Sequence, residues 1–356
     1  MELTVKEIGD ITGGQPFGDL DAIVKGVSTD SRSIEKKQLF VPIIAERNGH
    51  DFVIDAMTNG ASGHLFSQGD PQGNAIRVKD TLVALQDLAK FAREKITGDV
   101  VGITGSVGKT TTKDILFSSL RNLTEVHVSK RSYNNELGLP LTILAAKSST
   151  KHLILEMGAR GPGQIAELAE IANPTIGIIT RVAPAHTEFF KDIDHIAETK
   201  GALIEFLPSS GTAILNNDDP RVAEMAKLTN ARIVTYGLEN ATVIAEKIFI
   251  ENDLTTSFQI TTPWGTATTR INIPGVHNVT NALAAISAGL SMGFGLGDLC
   301  LSLADIDLSP MRMESKYLKS GTLVINDSYN ANPTSMNAAI DTLLSSPRTQ
   351  KYAVVG

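Results

Sequence analysis

The stretch Val100 to Asp114, VVGITGSVGKTTTKD, constrains this chain more than any other. A short apolar run ends in a Gly/Ser turn, and a lysine and three threonines then open a helical pattern. A strand that feeds a helix through such a turn points backbone N–H groups into one cradle at the helix N-terminus, which suits phosphate oxygens. Gly105, Ser106, Val107 and Gly108 would form the cradle, with Thr111 closing the motif. Lys109 would reach the β/γ-phosphates and the Thr110 hydroxyl would hold Mg²⁺. The longer phosphate-loop pattern carries glycine where this chain has Ile103, so the motif is the shorter G-x-x-G-K-T-T. A Gly-rich turn without a ligand is the alternative, but strand, turn, lysine and hydroxyls all agree with a phosphate site.

The alternation of strand and helix patterns continues from there and implies an α/β fold with a mostly parallel sheet. Strands are expected at 100–104, 152–157, 175–180, 212–216 and 231–236, with helices near 109–121, 137–146, 163–171, 195–206 and 220–228. Residues 243–273 change to short alternating runs, an antiparallel appendage on the same domain, before the Ala-rich helix of 275–293. Ahead of the phosphate loop, 1–82 read as a small N-terminal α/β domain. It has a helix from Leu3 to Ile11, a polar turn from Ser28 to Ser33, and a helix at 51–60 before a strand near 61–66. The strongly helical Asp80 to Lys95 connects it to a central domain, 83–309. The segment 310–356 reads as strand (TLVIND), polar loop (SYNANP), helix (TSMNAAIDTLL) and strand (KYAVVG), the start of a Rossmann-like C-terminal domain. Such a short βαβ unit cannot bury a core alone, so this third domain is expected to be incomplete.

A length of 356 residues suits two or three domains. A net charge of −7 argues against nucleic-acid binding through a basic surface. The lone cysteine, Cys300, excludes an intramolecular disulfide. The mixed N-terminus resembles neither a signal nor a transit peptide, and no apolar run is long enough to span a bilayer, so the expected location is cytoplasmic.

In open parallel sheets, ligands sit beyond the carboxyl ends of the strands. Besides the phosphate loop, three residues follow such ends or lie close by. Glu156 closes HLILE, where a carboxylate facing a phosphate loop suits a Mg²⁺ ligand, although an ordinary turn residue reads the same way. His186 follows the third strand in RVAPAH, where a bland role is equally compatible. Lys200 reads by composition as an ordinary solvated lysine on a helix flanked by acids. Asn278 and Asn281 are three apart on one helix, and their amides suit an adenine edge. The loop NDSYNANP gathers Asp327, Tyr329, Asn330 and Asn332, which also reads as a capping turn.

Taken together, VSTDSR, GHDF, TGSVGKTTTKD, NNELGLPLT, LEMGARGPGQIAEL, APAH, KGALIEFLP, LNNDDP, HNVTNALAA and NDSYNANPTSM resemble the Mur ligase family, ATP-dependent amide-forming enzymes of peptidoglycan precursor synthesis. These stretches cover nearly the whole chain in order. NNELGLPLT, EMGARGPGQI and SYNANPTSM point to the member that adds D-alanyl-D-alanine to UDP-N-acetylmuramoyl-tripeptide. The resemblance implies that Lys109 contacts the β/γ-phosphates, that Thr110 and Glu156 hold a first Mg²⁺, and that His186 and a carbamylated Lys200 serve a second. It puts Lys109, His186 and Lys200 in the catalytic apparatus, Asn281 with Asn135 and Asn278 at the adenine, and Arg312 and Asp327 on the nucleotide. Ser31 and Arg32 would hold the uridine part. Its partners would be small molecules (ATP, the UDP-tripeptide and the dipeptide), with the protein a monomer.

Two positions depart from the family wording: Arg181 stands where an Asn is usual, and Ala183 where a Gly is usual. The short C-terminal segment implies impaired turnover, because that domain closes over ATP in the family. A tripeptide-forming ligase, a folylpolyglutamate synthetase or a non-catalytic nucleotide- or precursor-binding protein remain alternatives. So does a P-loop NTPase that hydrolyses ATP for motion.

Overall fold

The computed structural model describes residues 2–129, 133–184, 190–251, 254–346 and 348–355. The chain divides into two units, Met1–Thr97 with Tyr133–Thr150, and Gly98–Ser132 with Lys151–Gly356.

In the first unit, Thr4 and Glu7 exchange side-chain and backbone hydrogen bonds in a capping box that starts the helix Val5–Thr12. That cap shortens the helix expected from Leu3, because Leu3 pairs with Val24 in a two-stranded ladder. Gly13, at φ 60°, ends the helix in the left-handed conformation. Among the described residues, a five-stranded sheet runs in the order Gln15–Phe17, Ala75–Arg77, Gly63–Phe66, Leu39–Phe40, Val27–Ser28, parallel apart from its first pair. Asp80 caps the helix Thr81–Glu94 by accepting from the N–H groups of Leu82 and Val83. This helix packs on Val5–Thr12 and on the later helix Gly138–Leu144, so both belong to the same unit.

Elements of the second unit are numbered in chain order. Its strands are β1 (Val100–Thr104), β2 (Val126–Val128), β3 (His152–Glu156), β4 (Ile176–Ile179), β5 (Thr212–Asn216), β6 (Arg232–Gly237), β7 (Val243–Ile250), β8 (Thr256–Thr262) and β9 (Gly265–Ile271). Among the described residues they form one nine-stranded sheet in the order β9-β8-β7-β6-β5-β4-β1-β3-β2. The pairs from β2 to β7 are parallel, and β7-β8 and β8-β9 are antiparallel. The antiparallel appendage expected on this domain extends the same sheet.

The central strands are buried on both faces and read as continuous apolar runs, as expected for a covered parallel sheet. Helices α1 (Lys109–Leu120), α2 (Gln164–Ala172), α3 (Ile193–Glu205) and α4 (Val276–Ser291) cover it. In α4 the run Val279, Ala282, Leu283, Ala285 and Ile286 is fully buried, because the helix packs both on α1 and on β5–β7. Its alanines allow that double contact. The arrangement puts the N-termini of α1 and α4 near the carboxyl end of β1.

Beyond α4, strands β10 (Glu314–Tyr317) and β11 (Leu323–Asn326) form a hairpin, and α5 (Pro333–Ser345) follows a capping box between Asn332 and Ser335. Strand β10, sequence ESKY, carries no apolar alternation and is exposed throughout, so nothing in the pattern announced it. The strand expected in KYAVVG does not form: Lys351–Val355 are irregular, with Tyr352 and Val354 81% and 97% exposed. A strand exists only where a neighbouring strand takes its backbone groups, and these residues pair with none among the described residues. Among the described residues no helix is long and apolar enough to cross a membrane.

Candidate functional site

The turn between β1 and α1 is held against the end of β4 by a set of short contacts. Thr180 Oγ donates to the Val107 carbonyl at 2.6 Å, and Ser106 N–H donates to the Arg181 carbonyl at 2.7 Å. Ser106 Oγ both donates to the Ala183 carbonyl at 2.8 Å and accepts its N–H at 3.0 Å. Only glycine fits at two points. A Cβ on Gly105 would lie 1.8 Å from Thr180 Oγ, and one on Gly108, which has φ +85°, would lie 2.6 Å from Asn281 Oδ1. The strand end that receives the loop is itself fixed. Asn216 Nδ2 donates to the Thr180 carbonyl, Tyr236 OH to the Ile179 carbonyl, and Val182 N–H to Asp219 Oδ2.

Lys109 is the first residue of α1, and its ammonium donates to the Gly105 carbonyl at 2.8 Å. Thr110 Oγ donates to Glu156 Oε2 at 2.8 Å, with both residues buried. That pairing joins the end of β3 to the start of α1. Burial pushes the Lys109 pKa down, the nearby Glu156 opposes this, and Arg312 adds to it. Lys200 is not the solvated residue its composition suggests. It is 5% exposed on α3, and burial, with the charge of Lys109 adding, lowers its pKa to about 7. Its amine is therefore substantially neutral near pH 7. Thr111 is buried and lines the adjoining cavity.

A cavity of about 1010 Å³ opens beside the loop, and Gly108, Thr180, Asn278, Asn281, Arg312 and Asp327 contribute to its wall. The two asparagines form a chain: Thr112 Oγ donates to Asn281 Oδ1, Asn281 Nδ2 to Asn278 Oδ1, and Asn278 Nδ2 to the Pro274 carbonyl. Asp327 Oδ1 accepts the Met313 N–H at 3.1 Å, and burial raises its pKa against the lowering effects of that bond and of Arg312. Arg312 Nε is buried and has no hydrogen-bond partner among the described residues. An orphaned guanidinium N–H costs free energy unless an acceptor meets it. Together with the glycine cradle, Lys109 and the Thr110–Glu156 pair, it fits a nucleoside triphosphate with a divalent cation. Mg²⁺ takes few protein oxygens and keeps several waters, so a hydroxyl and one carboxylate are the kind of ligand set it uses.

Three expected residues belong to the first unit. Ser31 is buried, and its carbonyl accepts from Asn59 Nδ2. Arg32 is exposed and paired with Asp30 through both Nε and an Nη. Asn135 Oδ1 accepts the Gly138 N–H at the start of the helix Gly138–Leu144. His186 lies outside the described residues.

Residue-by-residue reading missed Thr180 and His277. Thr180 could have been found by its place at the end of an expected strand. His277 lines the cavity, and burial lowers its pKa to about 4 against the opposing charge of Asp341 on α5. Nothing in the sequence ties it to that partner. Arg181, the departure from the family wording, lines the same cavity.

Comparisons with known proteins identify the family. Residues 103–289 match the Mur ligase middle domain. The chain is 37% identical over 347 residues to UDP-N-acetylmuramoyl-tripeptide–D-alanyl-D-alanine ligase of Bacillus subtilis (strain 168), covering 96% of this chain and 75% of that protein. Among solved structures it superimposes on MurF from Acinetobacter baumannii with a TM-score of 0.91 at 30% identity, over 97% of this chain and 77% of that one. It superimposes on MurF ligase from Thermotoga maritima in complex with ADP with a TM-score of 0.82 at 28% identity, over 90% and 75% of the two chains.

Replacing Gly105 by alanine is expected to destabilise the protein by about 1–3 kcal/mol, the usual cost of forcing atoms into a filled site. Denaturant unfolding measures this, and an unchanged midpoint would contradict the close approach to Thr180.

Proposed function

The chain belongs to the Mur ligase family, and on that premise we propose that it joins D-alanyl-D-alanine to UDP-N-acetylmuramoyl-tripeptide at the expense of ATP. The observation that carries the reading is the Thr110–Glu156 contact of 2.8 Å beneath the phosphate loop, next to Lys109. A relic loop would have no reason to keep hydroxyl, carboxylate and ammonium together.

The γ-phosphoryl group of ATP passes to the terminal carboxylate of the tripeptide, giving an acyl phosphate and ADP. The neutral amine of the dipeptide attacks the acyl carbon, and a tetrahedral intermediate expels phosphate, forms the amide and releases a proton. The protein's task is to hold and neutralise crowded negative charge during the first step. The N–H groups of 107–110 and the Lys109 ammonium bind the β/γ-phosphates, and Arg312 offers its unpaired N–H to the same charge. Asn278 and Asn281 face the base, and Asp327 reaches the nucleotide. Ser31 and Arg32 hold the uridine part of the precursor.

Mg²⁺ supplies charge neutralisation and orients the phosphate oxygens. Thr110 and Glu156 would hold one ion, and His186 with a carbamylated Lys200 a second. Carbamylation needs a neutral amine to attack CO₂ with loss of a proton, and a buried lysine with a pKa of about 7 meets that need. The enzyme is read as a cytoplasmic monomer.

The full-length protein is expected to release ADP steadily only when UDP-muramoyl-tripeptide and D-alanyl-D-alanine are both present. Turnover with UDP-muramoyl-dipeptide and a single amino acid would move the assignment to the tripeptide-forming ligase, and ATP hydrolysis without either substrate would overturn it. Protein incubated with ¹³C-bicarbonate is expected to show a carbamate carbon by NMR that grows as pH rises through about 7, where the Lys200 amine loses its proton. A signal that persists unchanged in Lys200→Ala would contradict the assignment to Lys200.

A further inference from the structure

Arg312 is held in an unusual way. Its neighbours Met311 and Met313 both have left-handed backbones, at φ 61° and 49°, which side chains with a Cβ rarely adopt. Three tethers hold this strained turn: Met311 N–H donates to Glu314 Oε2 at 3.2 Å, Met313 N–H to Asp327 Oδ1 at 3.1 Å, and Tyr329 N–H to the Met311 carbonyl at 3.2 Å. Strain of this kind persists where the surroundings over-determine it, and it gathers at functional sites. The outcome is that Arg312 enters the cavity wall that Gly108 and Asn281 also form.

Tyr329 acts on Arg312 a second time. The guanidinium carbon lies 4.3 Å from the centroid of its ring. A guanidinium laid against an aromatic face gains from the ring's charge distribution while its in-plane N–H edge stays open to an oxyanion. Arg312 Nε is buried and has no hydrogen-bond partner among the described residues, so this edge has an acceptor still to meet. Tyr329 itself does not line the cavity, and it is 44% exposed, so its ring is not a core residue. We propose that Tyr329 is a positioning residue for the ligase reaction: its backbone fixes the turn, and its ring presents Arg312 to the nucleotide phosphates. The inference rests on the reading of the cavity as the ATP site.

The test is steady-state kinetics of full-length Tyr329→Leu and Tyr329→Phe, with thermal unfolding as a control. Tyr329→Leu is expected to lower kcat/KM for ATP by about three- to thirty-fold, the range of a partly desolvated cation–π contact. It should leave KM for UDP-muramoyl-tripeptide unchanged, and Tyr329→Phe, which keeps the ring, should behave as wild type. Affinity for a non-hydrolysable ATP analogue should fall in Tyr329→Leu but not fall again when Tyr329→Leu is added to Arg312→Ala. If leucine at this position prevents folding, Tyr329→Gln removes the ring with a polar side chain and takes the same readouts. Unchanged kcat/KM for ATP in the ring-deleted protein, an equal loss in Tyr329→Phe, or a full further loss on top of Arg312→Ala would each overturn the proposal. Failure of the wild type to couple ATP to dipeptide addition would instead sink the ligase reading, while the analogue-binding comparison still decides the role of Tyr329.

Discussion

The contact between the phosphate loop and the end of β4 is the constraint on which the rest of the site depends. A loop that turns its N–H groups inward has little packing of its own, so something else must hold it. Here the Thr180 hydroxyl and the two-way exchange between Ser106 and Ala183 do so. The closeness of the contact excludes any side chain at residue 105. Because Thr180 is fixed in turn by Asn216 and Tyr236, the loop inherits the rigidity of β4, β5 and β6. Placing a binding loop on packed strands is how a fold obtains precision that a free loop lacks.

Charge is the second theme. Lys109 feels the charge of Arg312 and Lys200 feels that of Lys109, while Glu156 is the carboxylate that opposes the shift of Lys109. Positive groups gathered in a partly dry place are unfavourable on their own and favourable once an anion joins them. Burial is the main cause of the lowered pKa of Lys200, and the charge of Lys109 adds to it. A polyphosphate chain is the ligand such an arrangement suits, and an amine that loses its proton easily is the one that can take up CO₂.

Much of this was legible in the sequence for physical reasons. Covered parallel strands must be apolar throughout, so 100–104, 152–156, 176–179 and 212–216 stand out between amphipathic helices. The phosphate loop is legible because glycine, lysine and hydroxyls at fixed spacing have few other uses. What stayed hidden depends on contacts between distant segments. Burial turned Lys200 from an apparent surface residue into a buried amine, and no local pattern encodes that. The exposed hairpin strand ESKY has no apolar face to read, and KYAVVG has strand composition without a partner strand. The cluster of Arg312, Asp327 and Tyr329 forms through tethers across the turn and the ring contact between Tyr329 and Arg312.

The most direct measurement is calorimetric titration of a non-hydrolysable ATP analogue into the full-length protein, with and without Mg²⁺, for wild type and for Glu156→Gln. If the buried Thr110–Glu156 pair is the cation site of a nucleotide pocket, Mg²⁺ should tighten binding to wild type by at least about tenfold, or roughly 1.4 kcal/mol, and should do far less for Glu156→Gln. Equal dependence on Mg²⁺ in both proteins, or no binding to either, would contradict it.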